Sequence, residues 1–413
     1  MSGALAGLRV LDLTRVLAGP WASQIFGDLG AEVLKIERPG GGDDTRAWGP
    51  PFLRDSGGGE TTESAYFASA NRNKKSVCVD FTKPAGQVLI RQLAEQSDVL
   101  LENFKVGGLK QYGLDYDSIS KVNPRLVYCS ITGFGQTGPY APRPGYDFLI
   151  QGMGGLMSIT GRQQGEPGAG PQKVGVALTD ILTGLYSVVS ILAAIHHRQE
   201  TGKGQRIDMA LLDVQVASLA NQNMNFLSTG TPPTRMGNAH PNIVPYQDLP
   251  TSDGDMIVAV GNDRQFAALC GAVGHPEWST DDRFTTNALR VENREAIIGL
   301  LSTVTAKRTT KEWIAICEGA GVPCGPINDL QAVFDDPQVI QRELRIEMAH
   351  PTAGTISLVG SPMRLSKTPV EYQLPPPLIG EHTVTVLEQV LHMAHEEIRD
   401  LARMGIVEGK GLP

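Results

Sequence analysis

Cysteine is scarce in this chain, and none of it is arranged for bonding. Cys78, Cys129, Cys270, Cys317 and Cys324 are scattered, odd in number, and without CxxC or Cys/His ligand spacing. A disulfide framework and a structural zinc site are not expected, and a reducing compartment is. No Lys/Arg-dense run occurs. With a net charge of -8 and a pI near 5.6, a nucleic-acid surface is not expected, although a local basic pocket for a phosphorylated ligand remains open. Residues 1–7 have neither the positive start nor the apolar core of a signal peptide, and no Arg-rich amphipathic leader, so the expected location is cytoplasmic. One run, 174–195, is long and apolar enough to resemble a membrane span, with Asp180 its only charge. A single span bearing an unpaired acid and several Gly, Thr and Ser residues fits a buried core helix better, so no membrane partner is expected. Also missing are GxGxxG after the first apolar strand, a Walker loop, a Ser nucleophile elbow and HExxH. Dinucleotide, nucleoside triphosphate and metallohydrolase chemistry thereby lose their usual signatures, and small molecules are the expected partners.

What is present reads as a two-domain α/β enzyme. A chain of 413 residues exceeds what one core usually organises. In the N-terminal part, β-type runs at 8–14, 31–37, 76–81, 98–103 and 126–131 alternate with helical runs at 20–29 and 85–97. That alternation predicts right-handed crossovers and a Rossmann-like, doubly wound, mostly parallel sheet. A helix over 211–227 leads into a linker marked by Gly230, Pro232, Pro233 and Gly237. A smaller α+β domain follows, with a strand at 257–262 and helices at 264–273, 292–305 and 311–319. The expected division is 1–228 for the large domain, 229–330 for the small one, and 331–413 returning to the first.

Few residues could carry chemistry. Asp180 is a lone carboxylate near the start of an apolar helix; desolvation raises its pKa while the helix N-terminus lowers it. It could be a dry, ionised nucleophile or a structural cap, and spacing alone leaves both open. Arg72, Lys74 and Lys75, in NRNKKSVCVD, could clamp phosphates or a carboxylate, or be solvated loop charges. The loops around Gly145, Tyr146 and Asp147 and around Gly261 could admit a ligand to the backbone or be plain turns. His240 and Tyr246 could line a site at the domain junction. Cys129 and Cys324 read as inert.

At this point the motifs carry a likeness. LAGPWASQIFGDLGAEVLKIERPGGGD, NRNKKSVCVDF, LLENFKVGGL, GYDFLIQGMGGLMSITG, VGVALTDILTGLYSVVSILAA, RQETGKGQRIDMALLD, GVPCGPIND and PPPLIGEHT occur in this order. Together they resemble the class III (formyl-CoA transferase-like) CoA-transferases. DDTRAWGPPF and GNAHPNIVPYQDLPTSDGDMIVAVGNDRQF look most like the succinyl-CoA:glutarate or hydroxymethylglutarate branch.

The resemblance implies a CoA-transferase without a cofactor, in which CoA is a co-substrate. Asp180 matches the family's catalytic aspartate. Val16, Arg38, Arg72, Lys75, Asn103 and Phe104 fall where the family holds CoA. Arg72, Tyr146, His240, Tyr246 and Gly261 are the candidates for the acid, with Arg72 on the far carboxylate of a dicarboxylate. Leu17 stands where formyl-CoA transferases look to have glutamine, Gly261, Asn262 and Asp263 where they have a glycine-rich loop, and Thr132 and Phe134 in place of Lys and Tyr contacts. Oxalate and formate are therefore not the expected substrates. The family fold further implies a ring-shaped chain and an interlocked homodimer. The implied reaction moves CoA from an acyl-CoA such as succinyl-CoA to an acid such as glutarate, itaconate or hydroxymethylglutarate, through an aspartyl mixed anhydride and an aspartyl-CoA thioester. Two alternatives stand beside it. An α-methylacyl-CoA racemase would use a GHD histidine where this chain has Gly145, Tyr146 and Asp147. A non-catalytic CoA-ester binding module would lack the nucleophile.

Overall fold

A computed structural model of the chain describes residues 3–413. The chain divides into two compact units, one holding the residues up to Leu156, Val174–Met224 and Ile340–Pro413, the other Met157–Lys173 and Asn225–Val339.

The first unit is built on a seven-stranded sheet. Its strands are β1 (Arg9–Asp12), β2 (Glu32–Glu37), β3 (Lys75–Val79), β4 (Val99–Glu102), β5 (Val127–Thr132), β6 (Arg206–Ala210) and β7 (Val407–Glu408), in the order β7-β3-β2-β1-β4-β5-β6. All neighbours are parallel except β7, which runs antiparallel on β3. Alternate side chains of each strand face opposite sides, and both sides are apolar. Val10, Val33, Val99, Leu101 and Val127 pack under one set of helices; Leu11, Leu34, Ile36, Val77 and Leu100 pack under the other. Two-sided burial is why these strands read as apolar runs and were legible without an alternating pattern. The polar edge strand β6, with only Ala210 fully buried, gave no such run and was missed.

On the first side lie α1 (Ala18–Asp28), α3 (Asp147–Met153), α4 (Leu178–Thr201) and α5 (Leu211–Ser218); on the second lies α2 (Pro84–Glu95), with the C-terminal helices Thr383–Leu391 and His395–Arg403. The apolar run at 174–195 is α4. Its buried stripe is largely small or polar, with Thr179, Thr183, Gly184 and Ser187 ahead of Val188 and Ile191, because that face lies against α1. Arg198 in its last turn is ion-paired to Asp98 at 3.0 Å. The helix expected at 211–227 is two helices, Leu211–Ser218 and Ala220–Thr229, broken where Ala220 takes a left-handed φ of 42°.

The second unit carries the antiparallel sheet Cys324–Pro326, Asp255–Ala259, Tyr246–Pro250, with Val258 and Met256 facing a core of Phe266, Leu269, Ile297, Leu301 and Trp313. Fully buried Arg290 ties it together: it donates to the Val244 and Phe284 carbonyls and the Asp263 carboxylate, over the Phe266 ring. Residues 157–173 belong to this unit through Arg235, which donates to the Arg162 carbonyl and Gln164 Oε1.

The α1–α4 crossing depends on Gly184, where an added Cβ would stand 2.8 Å from the Ala18 carbonyl oxygen and 3.1 Å from the Trp21 ring. Gly184→Ala is expected to lower unfolding stability by about 1–3 kcal/mol in denaturant titration, because the backbone must move. An unchanged midpoint would contradict this close packing.

Candidate active site

The strand order 3-2-1-4-5-6 reverses between β1 and β4. In doubly wound sheets the connections leaving such neighbours go to opposite faces, and the crevice at their carboxyl ends is where ligands bind. Here that position holds a cavity of about 210 Å³. Arg15 to Ala18 line it after β1, Asn103 to Val106 after β4, and Arg143 to Tyr146 from the loop entering α3; Asp180 lines it from α4. Five predicted residues, Val16, Asn103, Phe104, Tyr146 and Asp180, thus meet in one place. Gly145 has to be glycine there, since an added Cβ would stand 2.5 Å from the Gly133 Cα.

Asp180 is the third residue of α4, half-buried, and its carboxylate accepts no hydrogen bond from the described residues. The cap reading of this residue is overturned, because the capping is done by Asp147. One Asp147 carboxylate oxygen accepts from the Thr179 N–H at 2.8 Å and the Asp180 N–H at 3.3 Å; the other accepts from Gln151 Nε2 at 2.6 Å. The donors that would have stabilised an ionised Asp180 are thereby occupied. Burial, and then the like charge of Asp147, push the Asp180 carboxyl up to about 7. The nearby Tyr66 phenol is pushed up by burial and by the carboxylates of Asp180, Asp147 and Asp43.

Four cations approach the opening. Arg15 and Arg38 share Asp44, at 2.9 and 3.2 Å, and the Arg15 guanidinium lies over the Phe104 ring at 5.4 Å. Arg143 lies 4.7 Å from the Tyr140 centroid, and no carboxylate pairs with it or with Lys105 among the described residues. Partly unpaired cations beside an aromatic face suit a polyanion with a ring system. Arg38 therefore stands at this site through Asp44. Arg15, Lys105, Arg143 and Asp147 were not assigned from the sequence. Lys105 and Asp147 lay inside the quoted motifs, but nothing local marks a loop cation as facing a ligand, and a cap supplied from 32 positions away is invisible to a local window.

Five predicted residues stand elsewhere, two of them, Arg72 and Lys75, in the first unit. Arg72 is 5% exposed: Nε and Nη2 hold the Asp28 carboxylate, Nη1 the Val359 carbonyl. Lys75 is ion-paired to Glu32 at 2.6 Å and lines a separate crevice with Asp28 and Asn73. Neither lines the cavity of Asp180: their charges bind the 71–75 loop to α1 and β2. Lys74 is likewise internal, donating to Pro20 O and Asn71 Oδ1 at 2.8 Å each. His240, Tyr246 and Gly261 are in the second unit. The His240 and Tyr246 rings lie 5.3 Å apart, and the Gly261 N–H donates to Gln265 Oε1.

Residues 5–383 match the description CoA-transferase family III. The chain is 51% identical over 94% of its length to the succinate–glutarate CoA-transferase of Agrobacterium fabrum, covering 95% of that protein. It is 46% identical over 98% of its length to the succinyl-CoA:glutarate CoA-transferase of Homo sapiens, covering 90% of that chain. The crystal structure of a CAIB/BAIF family protein from Brucella suis superposes with a TM-score of 0.82 at 48% identity, over 94% of this chain and 100% of that one. Matched from the first strand to the C-terminal helices, the chain belongs to CoA-transferase family III.

Proposed function

We propose that this CoA-transferase moves CoA from succinyl-CoA to a dicarboxylic acid, with Asp180 as the covalent carrier. The observation that carries the reading is a half-buried carboxylate without hydrogen-bond donors, standing in the crevice at the sheet's switch point. Such an oxygen keeps its electron density for attack on carbon. An Asp180 oxygen adds to the thioester carbonyl and the C–S bond breaks, giving a mixed anhydride and CoA thiolate. The thiolate adds to the Asp180 carbonyl, and succinate leaves with the oxygen that Asp180 supplied. The acceptor carboxylate then attacks the Asp180 thioester, and the returning thiolate takes the acceptor acyl group from the second anhydride. One thioester replaces another, so no proton or external energy is consumed.

Each addition places negative charge on a carbonyl oxygen. Helix α1 has no side-chain cap; Leu17 and Ala18 line the same cavity, and their N–H groups have no partner among the described residues. They are suited to stabilise that charge. Phe104, with Arg15, Arg38, Lys105 and Arg143, would hold the nucleotide and phosphates of CoA. The dicarboxylate preference follows the relatives; glutarate, itaconate and hydroxymethylglutarate are the acceptors to try. A homodimer belongs to the same reading, interlocked as the resemblance implies. It is supported by the exposed Leu185, Tyr186 and Val189 on α4, the face turned away from the core. A racemase would need a second acid/base group, and this chain has Tyr146 where the racemase motif has histidine.

The testing experiment presents succinyl-CoA and a panel of mono- and dicarboxylic acids to the protein and reads new acyl-CoA by mass. Product with dicarboxylates is expected. Asp180→Asn should lower the rate roughly a thousandfold or more, and a variant retaining wild-type turnover would end the proposal. Because attack needs the ionised form, the rate should rise with pH through about 7 and then level. Asp147→Asn removes the like charge, so that limb should move to lower pH; a shift upward would contradict the assigned cause. A carboxyl whose pKa is raised by folding adds stability below its unfolded value and loses it as pH rises through 7. Asp180→Asn should therefore melt higher than the wild type at pH 8, with the gap closing toward pH 4.

A further inference from the structure

Val16 lies at the mouth of the cavity with φ 74°, the left-handed region that a β-branched residue avoids. Holding it there costs on the order of 1–3 kcal/mol and persists only where the surroundings over-determine it. Three bonds do so. Asn103 Oδ1 accepts from the Arg15 N–H at 3.1 Å, and its Nδ2 donates to the Arg15 carbonyl at 2.7 Å. Asp43 Oδ1 accepts from the Val16 N–H at 3.2 Å. Asp43 is in turn fixed: its other oxygen accepts from Lys35 Nζ at 2.9 Å, both side chains being inaccessible to solvent, and its own N–H donates to Glu37 at 2.9 Å. Lys35 also donates to the Thr14 carbonyl at 3.0 Å, so a single buried ammonium grips the strand end and the Asp43 loop together.

This arrangement is more than the fold requires. Strand β1 ends at Asp12 and α1 begins at Ala18, a connection that relaxed turns could span. The strained residue sits immediately before Leu17 and Ala18, which line the cavity of Asp180 and whose N–H groups have no partner among the described residues.

We propose that Asp43, anchored by Lys35, is a positioning residue for the transfer reaction: by pinning the Val16 N–H it holds the Arg15–Leu17 turn in a left-handed kink and so fixes the N–H groups of Leu17 and Ala18 beside Asp180. Asp43 touches no substrate. The claim rests on the covalent role of Asp180 proposed above, since it concerns the donors that serve that chemistry. A loss of positioning falls on the transition state and lowers kcat; a loss of CoA contact raises KM.

The strain supplies the test. Glycine adopts the left-handed region at no steric cost, so Val16→Gly removes the reason a clamp is needed. In a double-mutant cycle of Asp43→Asn and Val16→Gly, reading exchange of labelled succinate into succinyl-CoA, Asp43→Asn alone should lose roughly 100-fold in kcat with KM changed by no more than about twofold. Adding Val16→Gly should then recover most of that loss. Losses that multiply, or an effect confined to KM, would overturn the proposal. If Asp43→Asn does not fold, Asn103→Ala replaces it in the cycle, and the same recovery is required. Hydrogen exchange of the wild-type Val16 amide reads the clamp without reference to catalysis: strong protection is expected, and exchange at the rate of an open loop would overturn it. Should the wild type form no covalent intermediate on Asp180, the parent reading fails, while the Val16 protection still reports on the clamp itself.

Discussion

The carboxylate of Asp147 occupies the first turn of α4, and the chemistry of the site depends on that occupation. A helix start presents unpaired N–H groups that would stabilise any acid nearby. Here they are already taken by a residue from the preceding helix, which leaves Asp180 beside a like charge and without a donor of its own. The opposite arrangement holds at α1, where no side chain caps the start and the N–H groups of Leu17 and Ala18 have no partner among the described residues. Two helix termini side by side, one filled and one open, give a reactive oxygen and a place for the charge its attack creates. Gly184 lets the two helices approach closely enough for this.

Behind the cavity lies a second layer of charge that does not line it. Asp12, Lys35, Asp43 and Lys74 are buried at the ends of the first strands and satisfy one another: Ser23 and Thr14 donate to Asp12, and Lys35 bridges Thr14 and Asp43. Burial alone would raise the Asp43 carboxyl, but Lys35 and Thr45 hold it down, to about 2, so it stays ionised through the working range. Burial pulls Lys74 the other way, down to about 7, against the attraction of Asp12. A set of ions this thoroughly paired fixes backbone positions more firmly than an apolar patch would, because displacing one leaves another unpaired in a dry place.

Much of this was legible in the sequence. The parallel sheet showed as apolar runs separated by helical ones because both its faces are covered. Asp180 stood out as a single acid in an apolar helix. The loop charges were harder to place, because a charge in a loop looks the same in the sequence whether it faces a ligand or the interior. Arg72 and Lys75 read as a clamp and prove to be partners of Asp28 and Glu32, 44 and 43 positions away. Arg15, Lys105 and Arg143 drew no attention and line the cavity. Asp147 was visible only as part of a turn, because its work is done on a helix that starts 31 residues later.

The covalent role of Asp180 is tested most directly by oxygen transfer. Each cycle through an anhydride exchanges an Asp180 oxygen with a substrate carboxylate, so turnover with an acceptor labelled with ¹⁸O in its carboxyl groups should leave the label in the peptide containing Asp180. Label recovered in that side chain, and absent from the same peptide without acyl-CoA, is the result expected. Full turnover with an unlabelled Asp180 would contradict the account.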